Sequence, residues 1–345
     1  MPKATKPDLA KGCLIHRNVR RKSVDFFRHC RKAQETNLPR HAPASPFVTI
    51  FAATSILVAC SFADRVAAQD GGHEESRFPT TEFADDAKSA AVTVGNVTAG
   101  VSQVLRPDID PYSEIAILNV IVDGKTVLTV PGVGSGFDFV AAEASIAEIA
   151  PDNAYPEIYF SSYSGGAHCC NSVIVAKEVG GEWVSVAIGE FDGDGNYLED
   201  IDGDGLAEIV TVDNRFLYAF DCYACSAAPL AVFTVRGGKA VDVSADPRYR
   251  RAHREWLSQI ESNVGGQERW RSPGYIAGWV AAKIRVGESA DAWTQLSANW
   301  DHAVDSGEEV CLTGEYLDDC PRKNRAVLPF PERLKLFLEQ NGYRY

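Results

Sequence analysis

Residues 200–208 read Asp200-Ile-Asp202-Gly-Asp204-Gly205-Leu206-Ala-Glu208. Alternating aspartates in a tight loop turn three carboxylates toward one point, and Gly205 permits the sharp turn after the third. The carbonyl of Leu206 and the side chain of Glu208 then close the other side. Such a set suits Ca2+, a hard cation that takes about six to eight oxygen ligands at roughly 2.3–2.6 Å, water included. The expected metal ligands are therefore Asp200, Asp202, Asp204, Leu206 and Glu208, with a solvated acidic turn as the alternative. An EF-hand is excluded. Its twelfth position needs a bidentate Glu and here is Thr211, and Ile209-Val-Thr-Val reads as a strand where that motif has a helix. A second run, Asp192, Asp194 and Asn196, lacks its own closure because its ninth position is Asp200.

Other chemistry-bearing groups are weaker. Ser161-Ser-Tyr-Ser-Gly-Gly-Ala-His168-Cys169-Cys170 places a histidine beside two thiols, but a bridged sulfur cannot act as a nucleophile. Gly132-x-Gly134-Ser135-Gly136 lacks the Lys-Ser/Thr ending of a phosphate loop and reads as a strand turn. Six cysteines follow residue 68: Cys169, Cys170, Cys222, Cys225, Cys311 and Cys320. An even count in an exported chain reads as disulfides. Cys311 is expected to pair with Cys320, and Cys169-Cys170 across to Cys222-Cys225. Zinc or a redox pair at Cys222-x-x-Cys225 is the alternative.

The elements that must position these groups come in two kinds. Over 92–245, short β-branched or aromatic runs are separated by Asp-Gly, Gly-Gly and Pro-Gly turns, and the last but one of these runs is Phe216-Leu-Tyr-Ala-Phe. This stretch also repeats. Residues 147–158 resemble 198–209 at a spacing of 51, and Gly180-Gly-Glu-Trp-Val-Ser-Val echoes Gly237-Gly-Lys-Ala-Val-Asp-Val at a spacing of 57. The expected fold is a mainly β repeat unit, propeller-blade-like or a sandwich, followed by an α-helical C-terminal unit. That unit covers 246–345. Asp246-Pro247, Ser272-Pro273, Ser289 and Pro331 open helices whose apolar residues share one face.

The acid at the ninth loop position and the strand after it resemble the calcium loop of FG-GAP and VCBS-type repeats of integrin-like propellers. The resemblance covers about 147–245 and implies a calcium site in one repeat only. In the other repeat Pro151, Asn153 and Ala150 stand where carboxylates would be expected.

Charge and patterning bound the setting. Residues 1–68 hold 12 Lys+Arg and 4 Asp+Glu, whereas 69–345 hold 22 and 43. The acidic body repels nucleic acid and anionic membranes and attracts cations. The basic start, followed by the apolar run Pro46–Ala63, reads as an export signal over 1–68. Cleavage after Val66-Ala67-Ala68 would free the chain in the periplasm or outside the cell. Leu57-Val58-Ala59-Cys60 would instead lipidate Cys60 as a membrane anchor. Residues 69–91 read as a flexible leader, and no other run is long enough to cross a membrane.

Three functions fit. The first is a calcium-binding module in the cell envelope, holding another envelope protein or a glycan. The second is a calcium-stabilised structural component of the envelope. The third is an exported hydrolase using His168, His253 or His302 with the carboxylates, although no spacing selects them.

Overall fold

The computed structural model describes residues 77–82, 88–136, 140–166, 169–193, 195–263, 266–303 and 305–345. The export segment with Cys60, most of the leader, Asp194 and His168 lie outside them.

Antiparallel sheets make up most of the fold. The first sheet is a meander of β2 (Ser89–Val94), β3 (Val97–Leu105), β4 (Glu114–Val122) and β5 (Lys125–Pro131). The second is a meander of β6 (Ala142–Ala147), β7 (Glu157–Tyr163), β8 (Asn171–Val179) and β9 (Glu182–Phe191), with β1 (Thr80–Glu82) added beside β6. The third runs β10 (Leu198–Glu199), β11 (Glu208–Val212), β12 (Leu230–Arg236) and β13 (Lys239–Asp242).

Burial explains how they stack. Strand β3 alternates: Val97, Ala99 and Val101 are buried while their neighbours are partly exposed, as a sheet with one covered face requires. In β7, Glu157 through Ser162 are all buried, so the second sheet is covered on both faces. Ile146, Ile158, Phe160 and Ala176 pack toward the first sheet. Tyr159, Val173, Val175 and Val186 pack toward Ile209 and Val235 of the third. The sheets do not close into a barrel or a propeller, so the propeller-like alternative is corrected to stacked open sheets.

The last third carries four helices: α1 (Arg250–Asn263), α2 (Pro273–Arg285), α3 (Ser289–Asn299) and α4 (Phe330–Gln340). The hairpin β14 (Glu308–Cys311) and β15 (Arg325–Leu328) lies between α3 and α4. Helix α2 starts where the Ser272 Oγ accepts the Tyr275 N–H and Pro273 takes the first turn. It is buried from Gly274 to Lys283, which makes it the axis of this region. None of the described helices is long and apolar enough to cross a membrane.

Two expectations need correction. The run 216–220 is not a strand. Asp213 caps a 3-10 turn over Asn214–Phe216, and Phe216 and Phe220 are buried in the helical core with Phe330 and Tyr343. Aromatic runs favour strands, but here Phe216 and Phe220 serve the packing of the helical core. The cysteines also pair differently. Cys222 bonds Cys225 and Cys169 bonds Cys170, not across the two pairs, while Cys311 bonds Cys320 as expected. A 3-10 turn, with the Cys225 N–H donating to the Cys222 carbonyl, brings the Cα atoms of Cys222 and Cys225 to 5.0 Å, inside the usual range for a bridge.

Candidate metal centre

The acidic loop connects β10 to β11 and is wound by its own backbone. The Asp200 carboxylate accepts the N–H groups of Gly203 (2.8 Å) and Gly205 (3.2 Å). Asp202 Oδ1 accepts the Asp204 N–H, and Asp204 Oδ1 accepts the Leu206 N–H. These are local side-chain turns of the kind aspartate favours. Gly203 and Gly205 adopt φ of +81° and +92°, which a side chain would strain.

Glu208, at the start of β11, is 3% exposed. Its Oε2 accepts the Ile201 N–H at 3.2 Å and its Oε1 accepts the Tyr249 hydroxyl at 3.1 Å. Burial pushes its carboxyl up to about 7, with Asp202 and Asp204 adding repulsion against the two hydrogen bonds. Asp200, Asp202 and Glu208 each offer an oxygen within 4.8 Å of the others. Asp204 is more exposed and lies 3.4 Å from the Arg248 guanidinium, which also approaches Asp202 at 3.6 Å. The Arg77 guanidinium reaches Asp200 Oδ2 at 2.9 Å from the solvent side. The geometry therefore gathers three of the expected side chains, Asp200, Asp202 and Glu208, while Asp204 is exposed and faces Arg248.

The loop between β6 and β7 has the same frame, 51 residues earlier. The Ala150 N–H donates to Glu157 Oε2 at 3.1 Å, as the Ile201 N–H does to Glu208. The Tyr155 N–H donates to Asn153 Oδ1, as the Leu206 N–H does to Asp204. Glu157 is fully buried. Here, however, a cation belongs to the protein. Lys177, 1% exposed, lies 2.5 Å from Glu157 Oε1, bonds the Asp152 carboxylate and reaches the Ala150 carbonyl at 3.4 Å. Burial works against the Lys177 charge, but the bonds to Asp152 and Glu157 hold its pKa above the ordinary lysine value.

Register shows what replaces that ammonium in the second loop. Ile158 faces Ala176, so Glu157 is opposite Lys177. Ile209 faces Phe233, so the residue opposite Glu208 is Thr234. Thr234 is buried, and its hydroxyl donates to the Ile149 carbonyl at 3.4 Å. The second loop thus has more carboxylate and no buried ammonium. The donor set, hard oxygens only, fits Ca2+.

Sequence reasoning missed Lys177, Thr234, Arg77, Arg248 and Tyr249. The first two carried a signal, since 177 and 234 are 57 apart, the spacing already seen in the Gly-Gly turns. No histidine constellation forms among the described residues. His253 Nε2 bonds the Ser244 carbonyl at 2.7 Å inside the helical region, and His302 is exposed in a turn. Cys169 and Cys170, just before β8, are bridged, and a bridged sulfur is no nucleophile.

The chain matches the sll0997 C-terminal domain family over residues 253–342. It is 36% identical over 196 residues to the uncharacterized protein y4bJ of Sinorhizobium fredii, a match covering 55% of this chain and 30% of y4bJ. The chain therefore spans less than a third of that relative. It is 34% identical over 258 residues to the probable thylakoid lumen protein sll0997 of Synechocystis sp., covering 73% of this chain and 75% of the relative. No solved structure matches. The resemblance to FG-GAP and VCBS repeats is overturned, because no such family is found and the family that does match covers the helical region. An alternating Asp-x-Asp-x-Asp-Gly turn follows from the needs of a tight oxygen-lined loop, so it does not mark descent. At 34% identity over three quarters of the lumen protein, this chain belongs to the sll0997 family.

Proposed function

We propose that this is an exported protein whose β region is stiffened by one Ca2+ in the loop of residues 200–208, and that it acts as a binding module for an envelope protein or glycan. One observation carries the calcium reading. Asp200, Asp202 and Glu208 converge where the matching loop is filled by the buried ammonium of Lys177. Asp200, Asp202 and Glu208 would hold the ion, with Asp204 and the Leu206 carbonyl completing its protein shell. The ion would supply the positive charge that Lys177 supplies next door, and would tie β11 to the turn at 200–205. Export is supported by the lumen assignment in the name of the Synechocystis relative and by the basic and apolar start of the chain. The binding role extends the calcium reading, because an ion in this loop would fix a solvent-facing turn of the β region.

The test is a thermal melt of the chain in excess Ca2+ and in chelator, with Asp202→Ala as control. Calcium a hundredfold above its dissociation constant stabilises by about 2.7 kcal/mol, a rise of a few degrees in a chain of this size. A rise in the parent that vanishes in Asp202→Ala supports the site. A parent that does not respond to millimolar calcium reduces the loop to an acidic turn.

A further inference from the structure

Two of the bridges sit in opposite surroundings. Cys311 and Cys320 are 6% and 3% exposed, within the fold beside α4. Cys222 and Cys225 are both exposed. Their bridge encloses only Tyr223 and Ala224, so it closes a very short loop and constrains the unfolded chain less than Cys311–Cys320 does. A bridge that adds little as a staple and stands open to solvent is suited to exchange rather than to permanent closure.

The turn it closes is nevertheless clamped on the central helix. The Ser272 hydroxyl, which caps α2, donates to the Cys225 carbonyl at 3.2 Å. The Ala227 N–H donates to the Gly274 carbonyl at 3.2 Å. A Cβ on Gly274 would stand 3.0 Å from the Cys225 carbonyl oxygen, and one on Gly278 would stand 2.1 Å from that of Ala227. Glycine is required at both places because the backbone of 225–227 lies directly on the helix.

We propose that Cys222–Cys225 is a thiol–disulfide exchange site that accepts electrons from a dithiol reductant and transmits its redox state to α2 through the turn at 222–227. A donor thiolate attacks one cysteine sulfur. The S–S bond breaks, a mixed disulfide forms, and the other cysteine leaves as a thiolate that takes a proton. The donor's second thiol loses its proton and attacks the mixed disulfide. The mixed S–S bond breaks as the donor disulfide forms and departs, the second cysteine leaves as a thiolate that takes a proton, and the chain has gained two electrons and two protons. The Asp221 carboxylate is grouped with both sulfurs within 4.8 Å. Its charge repels anionic attackers, so the site favours an uncharged or cation-lined dithiol over a small anionic thiol such as glutathione.

The experiment treats the full chain, in excess calcium and without denaturant, with dithiothreitol or glutathione. Free thiols are alkylated at intervals and mapped by mass spectrometry, while helical circular dichroism and tryptophan emission are followed. Cys222 and Cys225 are expected to label at least about tenfold faster than Cys311 and Cys320, as exposure dictates. Asp221→Asn should speed glutathione more than dithiothreitol. Reduction should shift the emission of the helical region, and Cys222→Ser/Cys225→Ser should reproduce that shift without reductant. Opening of both bridges together, at the rate of global unfolding, would overturn the exchange site. A reduced chain and a double variant with the emission and melting point of the oxidised parent would overturn the link to α2.

Discussion

The loop ahead of β7 and the loop ahead of β11 share a backbone frame and differ in where the positive charge comes from. In both, a buried glutamate accepts the N–H seven residues before it. In the first, the facing strand supplies Lys177, and a single aspartate, Asp152, joins it. In the second, the facing residue is Thr234, two buried or half-buried aspartates join the glutamate, and the nearest cations are arginines that approach from the rim. A buried carboxylate needs a counter-charge whatever its source. The first frame is completed from inside the chain, whereas the second has no ammonium opposite its buried glutamate, which is the place we propose for an ion from solution.

The comparison can be broken most severely at the first loop. Lys177→Met leaves Glu157 buried and unpaired and should cost about 3–5 kcal/mol, read as a fall in the urea midpoint. Lys177→Met with Glu157→Gln should recover part of that loss, because the amide removes the uncompensated charge while its oxygen can still accept the Ile149 and Ala150 N–H groups. A double variant as unstable as the single one would mean that the pair does more than neutralise itself.

The next largest effect is at the second loop. Chelation should cost the parent about 2.7 kcal/mol relative to calcium at a hundred times its dissociation constant, and should leave Asp202→Ala unchanged. The same chelation should not alter the stability gap between the parent and Lys177→Met, since the first loop carries its own cation.

The smallest expected effect concerns the segment that brings Arg248 and Tyr249 to the second loop. His253 follows in α1, and burial holds its pKa below the ordinary histidine value against the pull of the Ser244 carbonyl, with Arg285 opposing its charge and Asp242 favouring it. A lowered folded pKa means that the unfolded chain binds the proton first. His253 therefore costs nothing well above pH 6.5, and stability falls as the pH drops below about 6.5, the unfolded value. His253→Gln should flatten that part of an acid titration followed by urea midpoints.

The sequence carried the sheets and helices unevenly. Strands with β-branched runs between Gly-Gly or Asp-Gly turns, such as β8, β9 and β12, were legible because the turn fixes register. Strand β3 carries the alternation Val97, Ala99 and Val101, but Gly100 between them weakens it as a strand signal. Strand β6, rich in alanine, had no β signature at all and is held by its neighbours. Helix starts were clear from Ser-Pro and Asp-Pro pairs. The acidic loop itself was plain from its spacing. Its partners were not, because Arg77 and Arg248 arrive from 123 and 46 positions away from Asp200 and Asp202, and only the fold sets such distances. Thr234 was hidden for another reason. A buried threonine gains meaning only once Lys177 is known to occupy the matching place.

That substitution gives the most direct test. Thr234→Lys should place an ammonium opposite Glu208, with Thr234→Met as a control for size. Thermal melts of the parent and both variants would be run with millimolar calcium and with chelator. The account predicts that calcium raises the midpoint of the parent and of Thr234→Met, while Thr234→Lys melts at one temperature in both conditions and no lower than the calcium-free parent. A Thr234→Lys chain that keeps the full calcium response would show that the ammonium and the metal do not compete for one place, and would contradict the reading of the second loop as the first loop's frame with its cation left to solution.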